Sequence, residues 1–225
     1  MRVAQRSQLE RELARALINP HNRLLRELRR LLGDGWRNGT VSLASIPDEF
    51  WVTLERQYAG VLTGRLERLF LRAAEAQALA VGSAAVVNLG AAEWATSYSF
   101  ELVRGLRDTS QASLQRLISE FYSSAPESAR TTGELSARLG KIFGAVRAEM
   151  IAVTEVTRAS VEGERAQVRE LAAQGVVLVA TWQTANDELV CPVCGPRNGR
   201  REGDGWDSPP PAHPRCRCWL NHEVV

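Results

Sequence analysis

Most of the chain has the hydrophobic spacing of amphipathic α-helices. Leu9, Leu13 and Leu17 follow at four-residue intervals, and leucines between residues 24 and 32 continue the same apolar face. The stretch Gly33–Gly35 predicts the end of this first helix, because glycine and aspartate are typical of helix termination. The sequence therefore opens with one long helix that buries a leucine face.

Further helices are predicted up to about residue 145. One begins near Pro47 and Asp48, since proline and acidic residues are favoured in a first helical turn. The Ala- and Gly-rich segment 73–103 is expected to be helical and closely packed, and a residue in 108–110 is expected to cap the next helix. The core positions predicted for the helix that begins near Asp48 are Trp51, Leu54, Tyr58, Val61, Leu62, Leu66, Leu69 and Phe70.

The character of the chain changes near residue 150. Segment 123–129 reads as a linker, and Thr131 and Glu134 have the spacing of a capping box for a short helix. A charged helix over 151–174 is expected to end at Gly175, and the β-branched run 176–184 is typical of a strand. The fold class is therefore mainly α, with a helical body over residues 1–145 and a small α+β module over residues 146–225 closed by a Cys/His cluster.

Composition places the chain among ordinary globular proteins. Its 225 residues are 44% hydrophobic and 24% charged, with a net charge of +2 and an isoelectric point near 8.5. This charge is too mild to indicate nucleic-acid binding by itself.

We expect neither a secretory leader nor a membrane segment, because charges interrupt every apolar stretch. Synthesis in the cytoplasm would keep the thiols reduced, and clustered cysteines then indicate a metal more often than disulfides.

All four cysteines lie near the C-terminal end, in two pairs. Cys191 and Cys194 form a Cys-x-x-Cys turn, and His213, Cys216 and Cys218 follow in the sequence HPRCRC. If that sequence is extended, Cys216 and Cys218 share a face. A tetrahedral structural zinc site would need Cys191, Cys194 and Cys216 with either His213 or Cys218. Two disulfides, or thiols that merely pack, are the alternative.

Residues around the cysteines have simpler predicted roles. Asp187 is expected to accept backbone N–H groups in an Asx turn, and Arg217 is expected to point away from the metal. Trp182 and Trp219 are predicted to lie in the core of the small sheet. His222 is expected to be solvent-exposed. No catalytic residue is assigned, since neither the His-x-Glu of zinc deaminases nor a His-Glu-x-x-His motif is present.

Four stretches in this order resemble the Mu F-like head-morphogenesis family, the minor head proteins of tailed bacteriophages. They cover about the last third of the chain and are TEVTRASVEG, WQTANDELVCPVC, GPRNG and PPPAHPRCRC. The positions that match are Thr154, Glu155, Arg158, Gly163, Trp182, Ala185, Asp187, Cys191, Cys194, Gly199, Pro210, Pro211, His213, Pro214, Cys216, Arg217 and Cys218.

This resemblance implies a non-enzymatic role in the phage head. Such proteins are present in few copies, associate with the portal or capsid proteins and are linked to packaging or delivery of the DNA. The expected location is the virion.

Two other functions compete with this expectation. A zinc-knuckle nucleic-acid-binding or HNH-like nuclease module also uses paired cysteines, but Asn221 and His222 are a poor catalytic set. A toxin or ADP-ribosyltransferase effector would have to lie within residues 1–145, which carry no catalytic constellation. The arginines around the cysteines do not form a purely basic stretch, because acidic residues stand among them. The arginines are Arg197, Arg200, Arg201, Arg215 and Arg217, and the acidic residues are Glu202, Asp204 and Asp207.

Overall fold

The computed structural model describes residues 3–37, 40–83, 90–124 and 131–225. Five helices precede a two-stranded sheet in chain order, which confirms the predicted mainly α class with a small α+β end. Within the described ranges, every helix is too short or too polar to cross a membrane. The elements are α1 (Val3–Arg37), α2 (Asp48–Ala80), α3 (Gly90–Ser124), α4 (Thr132–Ile142), α5 (Ala145–Ala173), β1 (Leu178–Gln183) and β2 (Trp219–Val224).

Helix α1 is longer than its glycines predict. It continues through Pro20 and through Gly33–Gly35, so the predicted end at those glycines is wrong. The reason is burial: Trp36 is fully buried one residue beyond the glycines and contacts Phe121 at a ring-centroid distance of 4.2 Å. Packing of a large apolar side chain outweighs the roughly 1 kcal/mol by which a glycine disfavours a helix.

Helix α2 begins where proline and the acidic residues predict. Its predicted core positions are buried, apart from Val61, which is half-buried. The helix ends at Ala80, and Gly82 follows with a positive φ of 68°. The expectation that segment 73–103 is helical is therefore wrong at this turn, and residues 84–89 within it lie outside the described ranges.

Helix α3 runs without a break through the predicted cap at 108–110. The hydroxyls of Thr109 and Ser110 donate to carbonyls of the preceding turn, Gly105 at 2.8 Å and Leu106 at 2.6 Å. The hydroxyls therefore find hydrogen-bond acceptors within the helix and do not terminate it. Most of the predicted linker 123–129 lies outside the described residues, and Ser123 belongs to α3.

Two predicted helix ends are confirmed. Thr131 caps α4, because its side-chain oxygen accepts the backbone N–H of Glu134 at 3.2 Å. Helix α5 ends at Ala173, and Gly175 follows with a positive φ of 85°, the left-handed conformation that favours glycine after a helix.

The small sheet is one antiparallel pair. Strand β1 is confirmed in the β-branched run, and its Leu178 to Gln183 pair in register with Val224 to Trp219 of β2. Trp182 is fully buried and meets Trp206 edge to face at 5.6 Å. Trp219 is only half-buried, so the second core tryptophan is Trp206, not Trp219. These rings pack with the cysteines in one apolar cluster.

The chain contacts divide into two compact units that do not follow chain order. The first consists of Met1–Leu13, Gly64–Ala95 and Met150–Val225, and the second of Ala14–Thr63 and Thr96–Glu149. The division into a body over 1–145 and a module over 146–225 concerns independent folding and stays a prediction. The cysteines, the sheet and the start of α1 all belong to the first unit.

Candidate metal centre

A tight turn brings the first two cysteines together. The backbone N–H of Cys194 donates to the Sγ of Cys191 at 3.3 Å, and that of Gly195 donates to the Cys191 carbonyl at 3.0 Å. A short 3-10 helix over Gly195–Arg197 follows directly. The turn therefore orients both thiols to the same side, as the Cys-x-x-Cys spacing predicts.

The second half of the site meets this turn. The Nε2 of His213 lies 3.0 Å from the Sγ of Cys191 and 3.3 Å from that of Cys194. The Sγ of Cys216 lies 3.8 Å from that of Cys194. The side chains form two groups that could each hold a metal ion, and both groups contain Cys194. The first group adds Cys191 and His213, and the second adds Cys216 and Cys218. All five predicted ligand residues are thus brought into one cluster.

The spacing of these atoms fits a tetrahedral zinc ion. Thiolates bound at about 2.3 Å in a tetrahedron lie about 3.8 Å apart, and a thiolate and an imidazole nitrogen lie about 3.5 Å apart. The distance between Cys194 and Cys216 meets the first value, and the two contacts of His213 are a few tenths of an ångström short of the second. All four cysteines are free thiols, not disulfides.

The site has a buried side and an accessible side. Cys194, Cys216 and Cys218 are buried, whereas Cys191 and His213 are partly exposed. A cavity of about 120 Å³ adjoins the cluster, and all five side chains line it. A metal ion could therefore enter from the side of Cys191 and His213, while apolar packing holds the opposite side.

The ionisation of the thiols is unequal, and this also favours a cation. Hydrogen bonds from the Cys218 thiol lower the pKa of Cys216 to about 5, against the effect of burial. Burial and the nearby negative charge of Cys216 raise the pKa of Cys194 to about 12. The pKa of Cys218 is raised above its usual range, chiefly because its thiol donates a hydrogen bond to Cys216 and secondly because it is buried. The negative charge of the Cys216 thiolate thus disfavours ionisation of the neighbouring thiols. A divalent ion would relieve the repulsion between the thiolates.

Helix α5 holds the backbone that carries the last two cysteines. The Thr157 hydroxyl donates to the carbonyl of Cys216 at 2.7 Å. The side-chain oxygen of Thr154 accepts the backbone N–H of Arg215 at 3.0 Å. Arg215 has a positive φ of 63°, so this bond secures a backbone conformation that few non-glycine residues adopt.

Helix α1 contributes two charged residues that the sequence analysis missed. Arg6 and Glu10 are both buried, at 4% and 6% exposure. Arg6 donates to the carbonyl of Cys218 from both terminal nitrogens at 3.3 Å, and Glu10 accepts from Arg217 at 3.2 Å. Arg217 is exposed and also lines the cavity beside the cysteines, so its predicted direction away from a metal stays a prediction. The signal in the sequence is position: residues 6 and 10 extend the buried face of Leu13 toward the N-terminus.

Other predicted residues have the expected places, with one exception. The Asp187 carboxylate accepts the backbone N–H of Leu189 at 3.1 Å, which confirms the Asx turn. Gly199 has a positive φ of 75°, and its N–H donates to the Trp182 carbonyl at 2.8 Å. The prediction of a solvent-exposed His222 is wrong, because this side chain is half-buried on β2 and burial lowers its pKa to about 4.

The architecture defines a helical protein with a Cys/His cluster that could hold one metal ion. Comparison with protein-family models, with curated proteins and with solved structures finds no match.

Proposed function

We propose that this chain is a minor head protein of a tailed bacteriophage and carries a structural zinc ion. It acts non-enzymatically in head assembly, associates with portal or capsid proteins, and contributes to packaging or delivery of the DNA. Its place is the virion, in few copies. The proposal rests on the four ordered stretches that resemble the Mu F-like head-morphogenesis family.

One structural observation supports this reading of the stretches. Several residues that carry the resemblance make contacts that pack this part of the chain. Thr154 binds the backbone before Cys216, Gly199 binds Trp182, and Gly163 lies against the backbone of α2 with no room for a side chain. A stretch whose residues build and close a module is typical of a structural role, since catalytic groups are usually aimed into a cleft.

Four of the five candidate ligands form the proposed coordination shell. Cys191, Cys194, His213 and Cys216 are joined by the three short contacts of the cluster. Cys218 lies within 4.8 Å of the sulfurs of Cys194 and Cys216 but makes none of these three contacts, so it stands outside the proposed shell. Sulfur-rich ligand sets favour zinc over magnesium or calcium.

The test is a pull-down of the portal protein of the same phage by this chain, at low and high salt, with bound metal quantified on the same sample. Portal binding that resists salt, with about one zinc per chain, is the expected result. The Cys194→Ser variant should lose the metal and the portal interaction together. The Cys218→Ser variant is the matched control and should keep both.

A different pattern would replace the proposal. Retention of DNA that weakens steeply with salt, without portal binding, would favour the nucleic-acid-binding module instead. The arginines around the cysteines would then be the residues to substitute.

A further inference from the structure

A buried arginine stands behind the cysteine cluster. Arg6 lies in the first turn of α1 and is only 4% exposed, although a charged side chain is almost never buried without partners. Its two terminal nitrogens donate to the carbonyl of Cys218, each at 3.3 Å, and one also donates to the Thr157 hydroxyl at 2.7 Å. These three hydrogen bonds hold the guanidinium in one orientation.

Thr157 extends this contact to the next cysteine. Its hydroxyl accepts from Arg6 and donates to the carbonyl of Cys216, both at 2.7 Å. The backbone carbonyls of Cys216 and Cys218 are thus fixed by one chain of hydrogen bonds that begins on α1 and passes through α5. Since a Cys side chain has a single χ1 torsion before its sulfur, fixing the backbone fixes where each sulfur can lie.

The charge of Arg6 also suits a bound metal. Zinc with three thiolates and one neutral imidazole carries a net negative charge, because each thiolate contributes one and the ion offsets only two. Glu10 and Glu164 lie near Arg6 as well, so both carboxyl groups and cysteines surround the cation. A buried cation beside an anionic metal complex reduces the cost of burying both.

We infer that Arg6 is a positioning residue of the metal centre. It fixes the segment of Cys216 to Cys218 from the first turn of α1, so that metal binding and docking of that turn support each other. The inference rests on the proposed zinc site and is independent of the proposed role in the phage head.

Zinc affinity measured by competition with a chromophoric chelator tests the inference. Arg6→Met keeps an unbranched apolar stem and removes the charge and the donors. We expect it to weaken zinc binding by about 10–100-fold, the usual effect of losing a hydrogen-bonding group behind a metal ligand. Arg6→Lys should recover part of the loss, because it restores the charge without the two-pronged donor. Arg11→Met, an exposed position of the same helix, is the matched control and should bind as the native chain does.

The Co²⁺-substituted protein separates positioning from general destabilisation. Arg6→Met should shift the thiolate-to-cobalt charge-transfer band, since the sulfurs of Cys216 and its neighbours would be held differently. A structural role alone would lower the melting temperature of metal-free and metal-loaded protein equally, with affinity and band unchanged. That result would overturn the inference and leave the zinc site intact.

Hydrogen exchange on the native chain covers the case in which Arg6→Met does not fold. Removal of zinc by a chelator should speed amide exchange in residues 5–13, while segment 20–30 of the same helix stays protected. Equal protection of residues 5–13 with and without zinc would refute the coupling. Absence of any zinc binding by the native chain would refute the metal centre and this inference with it, whatever the portal experiment shows.

Discussion

Gly163 on α5 lies directly against the backbone of α2. A Cβ atom built at this position would overlap the carbonyl oxygen of Phe70 and lie 2.9 Å from its carbonyl carbon and 3.1 Å from the Cβ of Ala73. Carbon atoms normally approach to about 3.5 Å, so Gly163→Ala can be accommodated only if the two helices move apart. Because the obstacle is backbone and not a flexible side chain, no change of rotamer relieves it.

The net effect of Gly163→Ala can be estimated from two opposing terms. Alanine favours a helix over glycine by about 1 kcal/mol. Overpacking of a close contact costs about 1–3 kcal/mol, and a backbone obstacle places this case near about 3. The free energy of unfolding should therefore fall by about 2 kcal/mol, which lowers the melting temperature of a chain of this size by about 4–8 °C.

Thermal unfolding followed by circular dichroism is the assay, with Gly60→Ala as the matched control. Gly60 lies within α2, and a Cβ there meets nothing within 4 Å. That substitution should raise the melting temperature by about 2–4 °C, because only the gain in helix propensity remains. A melting temperature of Gly163→Ala equal to or above that of the native chain would refute the close-packing argument.

Cys194→Ser removes the thiol shared by both ligand groups, so the metal should be lost. The sheet should then unfold while most of the helical signal persists in circular dichroism. An unchanged thermal unfolding curve would contradict this prediction. Cys218→Ser should keep about one zinc per chain by atomic emission, and loss of the metal would make Cys218 a ligand in place of His213. Burial lowers the pKa of His21, which contacts the Tyr58 hydroxyl at 2.9 Å, to about 4, below the roughly 6.5 of an exposed histidine. The neutral ring therefore stabilises the folded chain fully above about pH 6.5, and this contribution, about 3 kcal/mol, declines as pH falls toward 4. Urea unfolding of metal-free protein should lose stability more steeply with acid in the native chain than in His21→Gln, and parallel curves would exclude this origin.

The local elements were largely predictable from the sequence. Helical spacing, the Thr131 cap, Gly175 after α5 and the β-branched strand each depend on neighbours a few residues away. The cysteine pairs were predictable for the same reason, since metal ligands recur at short spacings. The failures within the helices, at Gly33–Gly35 and at 108–110, arose where packing or hydroxyl bonding outweighed local propensity.

The supports of the metal centre could not be predicted in this way. Leu9 appeared to continue an apolar stripe, yet it is half-buried, while Arg6 and Glu10 beside it are buried. Whether a charged residue on such a stripe is buried depends on partners far along the chain, here Cys218 and Arg217. Periodicity identifies the face of a helix and says nothing of which distant segment supplies its hydrogen bonds.

The bond between Arg6 and Cys218 joins positions 212 residues apart, and it has a consequence for biosynthesis. Every residue of the unit formed by Ala14–Thr63 and Thr96–Glu149 leaves the ribosome before Cys191 is translated. At about 5–20 residues per second, translation from residue 149 to residue 218 takes several seconds, whereas helical packing is complete in far less. The face of α1 that carries Arg6 must therefore wait for the cysteine segment that supplies its hydrogen-bond acceptor. A nascent chain arrested before Cys216 should be cut by protease within the first two turns of α1 and protected once residue 218 has emerged and zinc is supplied.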